Sequence, residues 1–165
     1  MRTPIRKPGK YTHLKPDPYL TKEKINELQN NLERMKKIRP KLAAEVKRLA
    51  LDGDFSENAA YQIAKGRLRG LNQRTLDIEN HLKTAIVINP SNNKSIVQIG
   101  STVEVEIKGK RKIFTILGSS ETNPLQGIIS HNSPIGSAIL NKRIGDIIKI
   151  NLKDRKVEYI IKKIY

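Results

Sequence analysis

The chain has 165 residues, with 32 Lys and Arg against 16 Asp and Glu, so its formal net charge is +16. This length suits one large or two small domains, and the absence of a long apolar run excludes a membrane-spanning helix. The lack of cysteine excludes disulfides, zinc–thiolate sites and thiol catalysis, and it favours a cytoplasmic protein. Because the excess charge is positive, we expect a polyanionic partner such as nucleic acid or a complex that holds it.

The positive charge is spread over both halves of the chain, which meet at a linker pattern of Pro, Ser and Asn near residue 90. Residues 1–90 have a net charge of +9 and residues 91–165 a net charge of +7. One window departs from this background. Residues 49–64 contain no Lys or Arg but hold Asp52, Asp54 and Glu57. This acidic segment on a basic protein is the first feature that calls for a functional explanation.

The N-terminal half begins with a basic, proline-rich extension, residues 1–20, which cannot be helical. Thr21 is a predicted helix N-cap, and apolar residues then alternate at spacings of three and four over residues 21–51. Such spacing is typical of a coiled-coil helix, interrupted here at Arg39 and with a kink expected at Pro40. The apolar positions are Ile25, Leu28, Leu32, Met35, Leu42, Val46 and Leu49.

A second apolar series follows Gly53 with the same alternation, at Ala64, Leu68, Leu71, Thr75, Ile78, Leu82 and Ala85. Two such series joined by a few residues bury each other by folding back as an antiparallel helical hairpin. We therefore predict a coiled-coil hairpin over residues 21–89. Its tip, residues 52–57, carries the acidic segment at the end of a long rod.

From Ile96 onward the pattern changes to alternating, strand-like residues. Strands are predicted at residues 102–107 and 112–117 around a Gly109-Lys110 turn, then near residues 127–130, 147–150 and 157–161. Ser133 followed by Pro134 predicts the start of one short helix. Residues 90–165 should form a compact α+β domain with an antiparallel sheet, so the whole chain is expected to be α+β.

Asp54 and Glu57 are the strongest candidates for chemistry. They are three residues apart at a helix start, so their carboxylates can converge, and two convergent carboxylates suit Mg²⁺ but hold it weakly alone. A second interpretation makes Asp54 an N-cap and Glu57 its partner in a capping box. Ser56 competes for the N-cap position, which would free Asp54, so the two interpretations are not exclusive.

Basic residues flank the acidic segment on both helices and form a candidate nucleic-acid patch. Exposed helical charges are commonly only solvated, but Lys65 and Arg69 are like charges four residues apart, an arrangement that a phosphate would relieve. Only Tyr61 adds an aromatic ring near these residues, so stacking of nucleic-acid bases on the patch is poorly supported. No nucleophile motif, phosphate loop or metal-binding histidine spacing occurs, so autonomous catalysis is not expected. The patch comprises Lys47, Arg48, Lys65, Arg67, Arg69 and Arg74.

Three separated motifs resemble the bacterial Gre transcript-cleavage factors. The tip sequence Gly53-Asp54-Phe55-Ser56-Glu57-Asn58-Ala59-Ala60-Tyr61 is similar to the loop of that family, although Ala60 stands where an acidic residue is usual. Ile38-Arg39-Pro40 is similar to its Arg-Pro, and Asn132-Ser133-Pro134-Ile135-Gly136 with Gly145-Asp146 resembles its C-terminal motif. Ser56 and the basic run 65–69 look more GreB-like than GreA-like.

The resemblance implies a fold and a mechanism. The fold is a coiled coil joined to an FKBP-like domain, and the coiled coil enters the secondary channel of RNA polymerase. Asp54 and Glu57 would help to hold a second Mg²⁺ and to position the attacking water, with Phe55, Ser56, Asn58 and Tyr61 supporting the tip. The ion would be shared with the polymerase and not held stably by this chain alone. Ser133, Pro134 and Ile135 are the candidate docking residues.

The predicted function is therefore stimulation of the polymerase's own cleavage of backtracked nascent RNA, performed by an accessory factor that is not itself an enzyme. The expected partners are RNA polymerase and the RNA 3′ end. We expect a monomer that works in the cytoplasm and has no membrane among its partners. Two alternatives remain at this point: a regulator that occupies the channel without promoting cleavage, and a coiled-coil protein that binds nucleic acid nonspecifically.

Overall fold

The computed structural model describes residues 16–51, 58–89, 94–152 and 155–165. Two long helices, α1 (Lys22–Leu49) and α2 (Ala59–Thr84), pack against each other, and the chain then forms a five-stranded sheet with one short helix. The predicted α+β class, with a helical hairpin followed by a sheet domain, is confirmed. No helix within the described ranges is long and apolar enough to cross a membrane.

Thr21 caps α1 as predicted, because its hydroxyl oxygen accepts a hydrogen bond from the backbone N–H of Lys24 at 3.2 Å. The helix then continues through Pro40 to Leu49. At about 1.5 Å per residue its 28 residues span about 42 Å. The connection between the helices therefore lies far from the base of the hairpin, where the sheet domain is attached.

The interface between α1 and α2 uses the predicted apolar positions. Every apolar residue of the first series is partly buried, and Ala64 is fully buried in the second. Arg39, which interrupts the first series, donates from Nε to the side-chain oxygen of Asn72 across the hairpin at 2.9 Å. Lys36 and Glu79 form an ion pair between the helices at 3.0 Å. Among the described residues no third element covers this two-helix rod, so its interface stays half exposed and relies partly on these polar bridges.

The sheet domain contains five strands in the order β5-β4-β3-β7-β6. Three of the four pairings are antiparallel, as predicted, whereas β4 and β5 are parallel. The parallel pair arises because the connection from Leu117 to Ile128 crosses over through two short 3-10 turns, at Ser119–Glu121 and Pro124–Gln126. The strands are β3 (Thr102–Ile107), β4 (Lys110–Leu117), β5 (Ile128–Ser130), β6 (Ile147–Leu152) and β7 (Arg155–Ile164).

One face of this sheet is the core of the domain. Alternate residues of the strands point to this face and are buried, which is the expected consequence of the two-residue period of a strand. The helix α3 (Pro134–Ile139) covers it and contributes Ile139. Burial also raises the pKa of the Tyr159 hydroxyl. The central cluster consists of Val97, Val103, Val105, Ile116, Ile129, Ile139, Ile148, Ile150, Tyr159, Ile161 and Ile164.

Residues 16–20, grouped with the extension in the sequence analysis, have a defined place in the fold. Tyr19–Leu20 forms a short strand, β1, that pairs in parallel with β2 (Ile86–Val87) just after α2. Leu20 is completely buried at this junction. The residues before α1 and after α2 therefore lie side by side at the base of the hairpin.

The same segment binds the sheet domain through side chains. The Asp17 carboxylate accepts hydrogen bonds from the backbone N–H and the hydroxyl of Ser119, both at 2.7 Å. Asp17 also lies 3.4 Å from His131 Nδ1, and the Tyr19 ring packs edge-on against the His131 ring. Thr21 donates from its backbone N–H and its hydroxyl to Glu121. We call these contacts of Asp17, Tyr19 and Thr21 with the sheet domain the N-terminal clasp.

Candidate functional site

Asn58 connects the two helices next to the acidic tip. Its side-chain oxygen accepts a hydrogen bond from the Tyr61 N–H at 2.9 Å, which makes Asn58 the N-cap of α2. Its side-chain amide donates to the carbonyl oxygen of Leu49 at 3.0 Å, in the last turn of α1. The structure therefore corrects the capping interpretation: neither Asp54 nor Ser56 caps α2. One amide side chain joins both ends of the tip connection.

Asp54, Phe55, Ser56 and Glu57 lie outside the described residues. Their position along the chain is nevertheless bounded, because α1 ends at Leu49 and Asn58 precedes α2. The side-chain amide of Asn58 donates to the Leu49 carbonyl, and this hydrogen bond joins the two bounding residues. The two candidate carboxylates thus belong to a short connection whose ends are fixed relative to each other.

The magnesium assignment can be tested against the donor set at this end of the hairpin. The side-chain oxygen of Asn58 is already committed to Tyr61, so it is not a free ligand. The chain then offers the carboxylates of Asp54 and Glu57, which are oxygen donors of the type that Mg²⁺ prefers. Within the described part of the chain, no group of three or more His, Cys, Asp or Glu side chains is placed to hold a metal ion. The donors fit a half-site that needs ligands from a partner.

Tyr61 is half-buried in the first turn of α2, and the Lys65 ammonium lies 5.5 Å from the centre of its ring. This distance is within the range of a cation–π interaction. The tyrosine therefore has a local role that the sequence did not show: its ring holds the first basic side chain of α2 beside the tip.

The six basic residues of the predicted patch are all exposed, but α2 does not present its four members on one surface. Successive residues of a helix are rotated by about 100°. Lys65 and Arg69, four residues apart, share the flank of α2 that also carries Asn72. Arg67 and Arg74, seven residues apart, share the opposite flank. The hairpin thus has two basic flanks.

The flank with Lys65 and Arg69 contains a shallow groove of about 340 Å³. Its walls combine the two cations with the amides of Asn72 and Gln73 and with apolar Leu68 and Leu76. Leu76 is 49% exposed and adds apolar surface to the groove. A groove with cationic, amide and apolar walls can accept a phosphate-bearing chain along the hairpin axis.

The three candidate docking residues have structural roles in α3. Ser133 caps the helix, because its hydroxyl accepts from the Gly136 N–H at 3.0 Å and donates to the Ser130 carbonyl at 2.7 Å. Ile135 packs against the core, and Pro134 is exposed at the first helical position. Pro134 thus offers an exposed surface, while Ser133 and Ile135 hold the helix in place.

Comparisons with known proteins cover both parts of the chain. The model of the GreA/GreB transcription elongation factor N-terminal domain matches residues 18–87, and that of the C-terminal domain matches residues 92–165. GreA of Nitratiruptor sp. is 34% identical over 149 residues, covering 88% of this chain and 91% of that protein. GreA of Clostridium acetobutylicum is 38% identical over 146 residues, covering 86% and 92%. A solved structure of GreA factor homolog 1 from Thermus thermophilus is 25% identical, covers 88% and 97%, and has a TM-score of 0.40.

The fold and the site define a two-domain protein in which a sheet domain carries a helical hairpin with an acidic connection and basic flanks. The chain belongs to the GreA/GreB family of transcription elongation factors. The relatives named above are GreA proteins, and the GreB-like subtype expected from Ser56 and the basic run 65–69 stays a prediction.

Proposed function

We propose that this protein enters the secondary channel of RNA polymerase with its helical hairpin and stimulates the polymerase to cleave backtracked nascent RNA. The observation that carries the proposal is the Asn58 bridge. It joins Asn58 to Leu49, the residues that flank the tip connection at the end of a helix about 42 Å long, and this supports delivery of Asp54 and Glu57 from one end of the hairpin. The protein would act in the cytoplasm as an accessory factor, and the cleaving centre would belong to the polymerase.

Asp54 and Glu57 would hold the second Mg²⁺ jointly with the polymerase and orient the attacking water. The ion would supply an activated water and charge stabilisation at the scissile phosphate. Two carboxylates bind such an ion weakly, so the site forms only in the complex. The basic flanks of the hairpin support the proposal, because an RNA 3′ end is a polyanion and cationic side chains stabilise its backbone.

The proposal is tested by measuring release of 3′ RNA fragments from backtracked elongation complexes. Asp54→Asn and Glu57→Gln should each abolish stimulation while binding to polymerase is retained. Glu33→Gln is the matched control, because Glu33 is an exposed carboxylate in the middle of α1. It should cleave like the unmodified protein. Normal cleavage by both tip variants would refute the assignment of the two carboxylates.

The two alternatives predict different results in the same assay. A regulator that only occupies the channel would bind polymerase and release no fragments, even with both carboxylates intact. A nonspecific nucleic-acid-binding coiled coil would not require the polymerase and would tolerate neutralisation of the tip. Fragment release that requires polymerase, Asp54 and Glu57 together would exclude both.

A further inference from the structure

A second basic surface lies on the sheet domain, away from the hairpin. The turn and first residues of the β3–β4 hairpin read Lys108-Gly109-Lys110-Arg111-Lys112, and residues 107–120 contain no acidic residue. All four basic side chains are exposed. We call Lys108, Lys110, Arg111 and Lys112 the basic hairpin tip. It concentrates four positive charges within five residues, and the helical part of the molecule does not contribute to it.

The backbone holds this tip in a fixed shape. Lys108 and Gly109 have φ values of 50° and 77°, so both central residues of the turn are left-handed. This is the pattern of the tight two-residue turn that matches the twist of a β-hairpin. Asn or Gly would fit position 108 with less strain, yet the chain places a lysine there. The result is a rigid ribbon end with a cation at its apex.

The tip projects beyond the neighbouring strand. β5 pairs with β4 only at residues 115–117, so β4 is an edge strand over residues 110–114. Lys110 and Lys112 stand opposite Ile107 and Val105, on the same face of the ribbon. This stretch is therefore open along one edge, with two lysines spaced two residues apart and a third at the turn.

The nearby carboxylates do not neutralise the three lysines. Glu104 binds Arg111 at 3.1 Å and the Tyr165 hydroxyl at 3.0 Å, and Glu106 binds Lys162 at 3.0 Å. Among the described residues, Lys108, Lys110 and Lys112 have no ion pair. Like charges this close repel one another, and a polyanionic partner would relieve the repulsion.

We propose that the basic hairpin tip binds the phosphate backbone of duplex DNA without reading its sequence. A two-stranded ribbon is narrow enough to enter the major groove of DNA, and unpaired lysines supply backbone contacts. Single-stranded RNA fits less well, since stacking on aromatic rings is a main source of its affinity. Phe114 of β4 packs against the core. The Tyr165 hydroxyl donates to Glu104, and the Lys163 ammonium lies over the Tyr165 ring.

The test is binding of the full-length protein to a fluorescently labelled duplex of mixed sequence, measured by anisotropy over a range of salt concentrations. The variant carries Lys108→Asn, Lys110→Gln and Lys112→Gln, which suit their backbone positions. Each lost phosphate contact lowers the salt slope of log K by about one, so we expect a decrease of about two to three and at least about tenfold weaker binding at low salt.

A matched control removes the same charge elsewhere in the sheet domain through Lys94→Gln, Lys142→Gln and Arg143→Gln. These exposed residues lie near the start of β3, at the other end of the sheet. The backbone N–H of Val97 donates a hydrogen bond to the Lys142 carbonyl there. The control should retain most of the affinity. Equal losses in the two triple variants would overturn the proposal, because binding would then depend on net charge alone.

Further outcomes bear on the proposal. A variant with Lys108→Arg, Lys110→Arg and Lys112→Arg should bind DNA like the unmodified protein, and a loss of binding would contradict a phosphate contact. Binding to single-stranded RNA that is stronger than binding to DNA, and that is lost when Lys108, Lys110 and Lys112 are replaced, would assign the basic hairpin tip to RNA instead. Loss of polymerase binding with unchanged DNA binding would assign it to an acidic protein surface. None of these measurements on DNA requires transcript cleavage, so the outcome is independent of the function proposed above.

Discussion

Asp17 and Ser119, 102 positions apart in the chain, are joined by two hydrogen bonds of 2.7 Å to one carboxylate oxygen. The other carboxylate oxygen of Asp17 accepts from the Tyr19 N–H at 3.1 Å. Its backbone carbonyl lies 2.8 Å from His81 Nε2, on α2. Asp17 thus contacts the end of the helical hairpin and the sheet domain at once, and it sets how the rod is attached to its base.

Replacing Asp17 with alanine should lower the free energy of unfolding by about 1.5 to 3 kcal/mol, the range for hydrogen bonds that involve a charged group. The measurement is chemical denaturation at neutral pH. Asp77→Ala is a suitable control, because the Asp77 carboxylate accepts a single exposed hydrogen bond from Gln73. That change should cost less than about 0.5 kcal/mol. A loss for Asp17→Ala as small as that of the control would show that the Asp17 contacts add nothing to stability.

The Asp17 carboxyl should also make stability depend on acid. Burial would raise its pKa, but the hydrogen bonds from the Ser119 hydroxyl, the Ser119 N–H and the Tyr19 N–H, together with His131, hold the pKa below its ordinary value. The group then stabilises the fold above the unfolded pKa of about 3.9 and loses this contribution as the pH falls through the lower folded value. The stability difference between the native protein and Asp17→Asn should shrink as the pH is lowered below about 4.

Asn58 can be tested for its two hydrogen bonds separately. Asn58→Ala removes the helix cap and the bridge to Leu49, and it should cost about 1 to 2 kcal/mol of stability. Asn58→Asp keeps a good cap acceptor for the Tyr61 N–H but loses the donor to the Leu49 carbonyl. If the bridge positions the tip, both variants should lose transcript cleavage, while Asn58→Asp retains more stability. Full cleavage by Asn58→Asp would show that the cap alone suffices.

Arg39 interrupts the apolar series of α1 and reaches Asn72 with an exposed hydrogen bond. Polar residues at such positions favour one register of a coiled coil at a cost in stability. Arg39→Leu should therefore raise the melting temperature of the hairpin by a few degrees, since about 1 kcal/mol corresponds to a shift of 2 to 8 °C. Asn72→Ala should change stability by less than about 0.5 kcal/mol. A lower melting temperature for Arg39→Leu would mean that the arginine contributes more than its hydrogen bond.

The elements with strong periodicity were predictable from the sequence. The apolar spacing of α1 and α2, the Thr21 and Ser133 caps, and the alternation of Val103 and Val105 in β3 depend on local rules, and the structure contains all of them. The hairpin turn lies one residue earlier than expected, at Lys108-Gly109, because Lys108 adopts a left-handed conformation that sequence rules assign to Asn or Gly.

Features that depend on contacts between distant residues were not predictable from local patterns. The parallel pairing of β4 with β5 follows from a crossover, and the clasp of Asp17 with Ser119 joins segments that no spacing rule connects. Local rules offer Asp54 and Ser56 as candidate caps of α2, since both are good cap residues close to the helix start. Asn58 takes this position, and its side-chain amide also donates to the Leu49 carbonyl, which an ionised carboxylate could not do.

Two helical glycines allow a final matched prediction. A Cβ on Gly136 of α3 would lie 2.1 Å from the Ser130 carbonyl oxygen, whereas a Cβ on Gly66 of α2 would meet no atom of the described residues within 4 Å beyond its own helix backbone and chain neighbours. Gly136→Ala should push α3 away from the sheet, disturb the Ser133 cap and lower stability by more than about 2 kcal/mol. Gly66→Ala should raise stability by about 0.5 to 1 kcal/mol, since alanine is the better helix former. Thermal melts of the two variants, which make the same substitution at different positions, would test both expected changes in stability. A Gly136→Ala variant as stable as the native protein would contradict the close approach of α3 to β5.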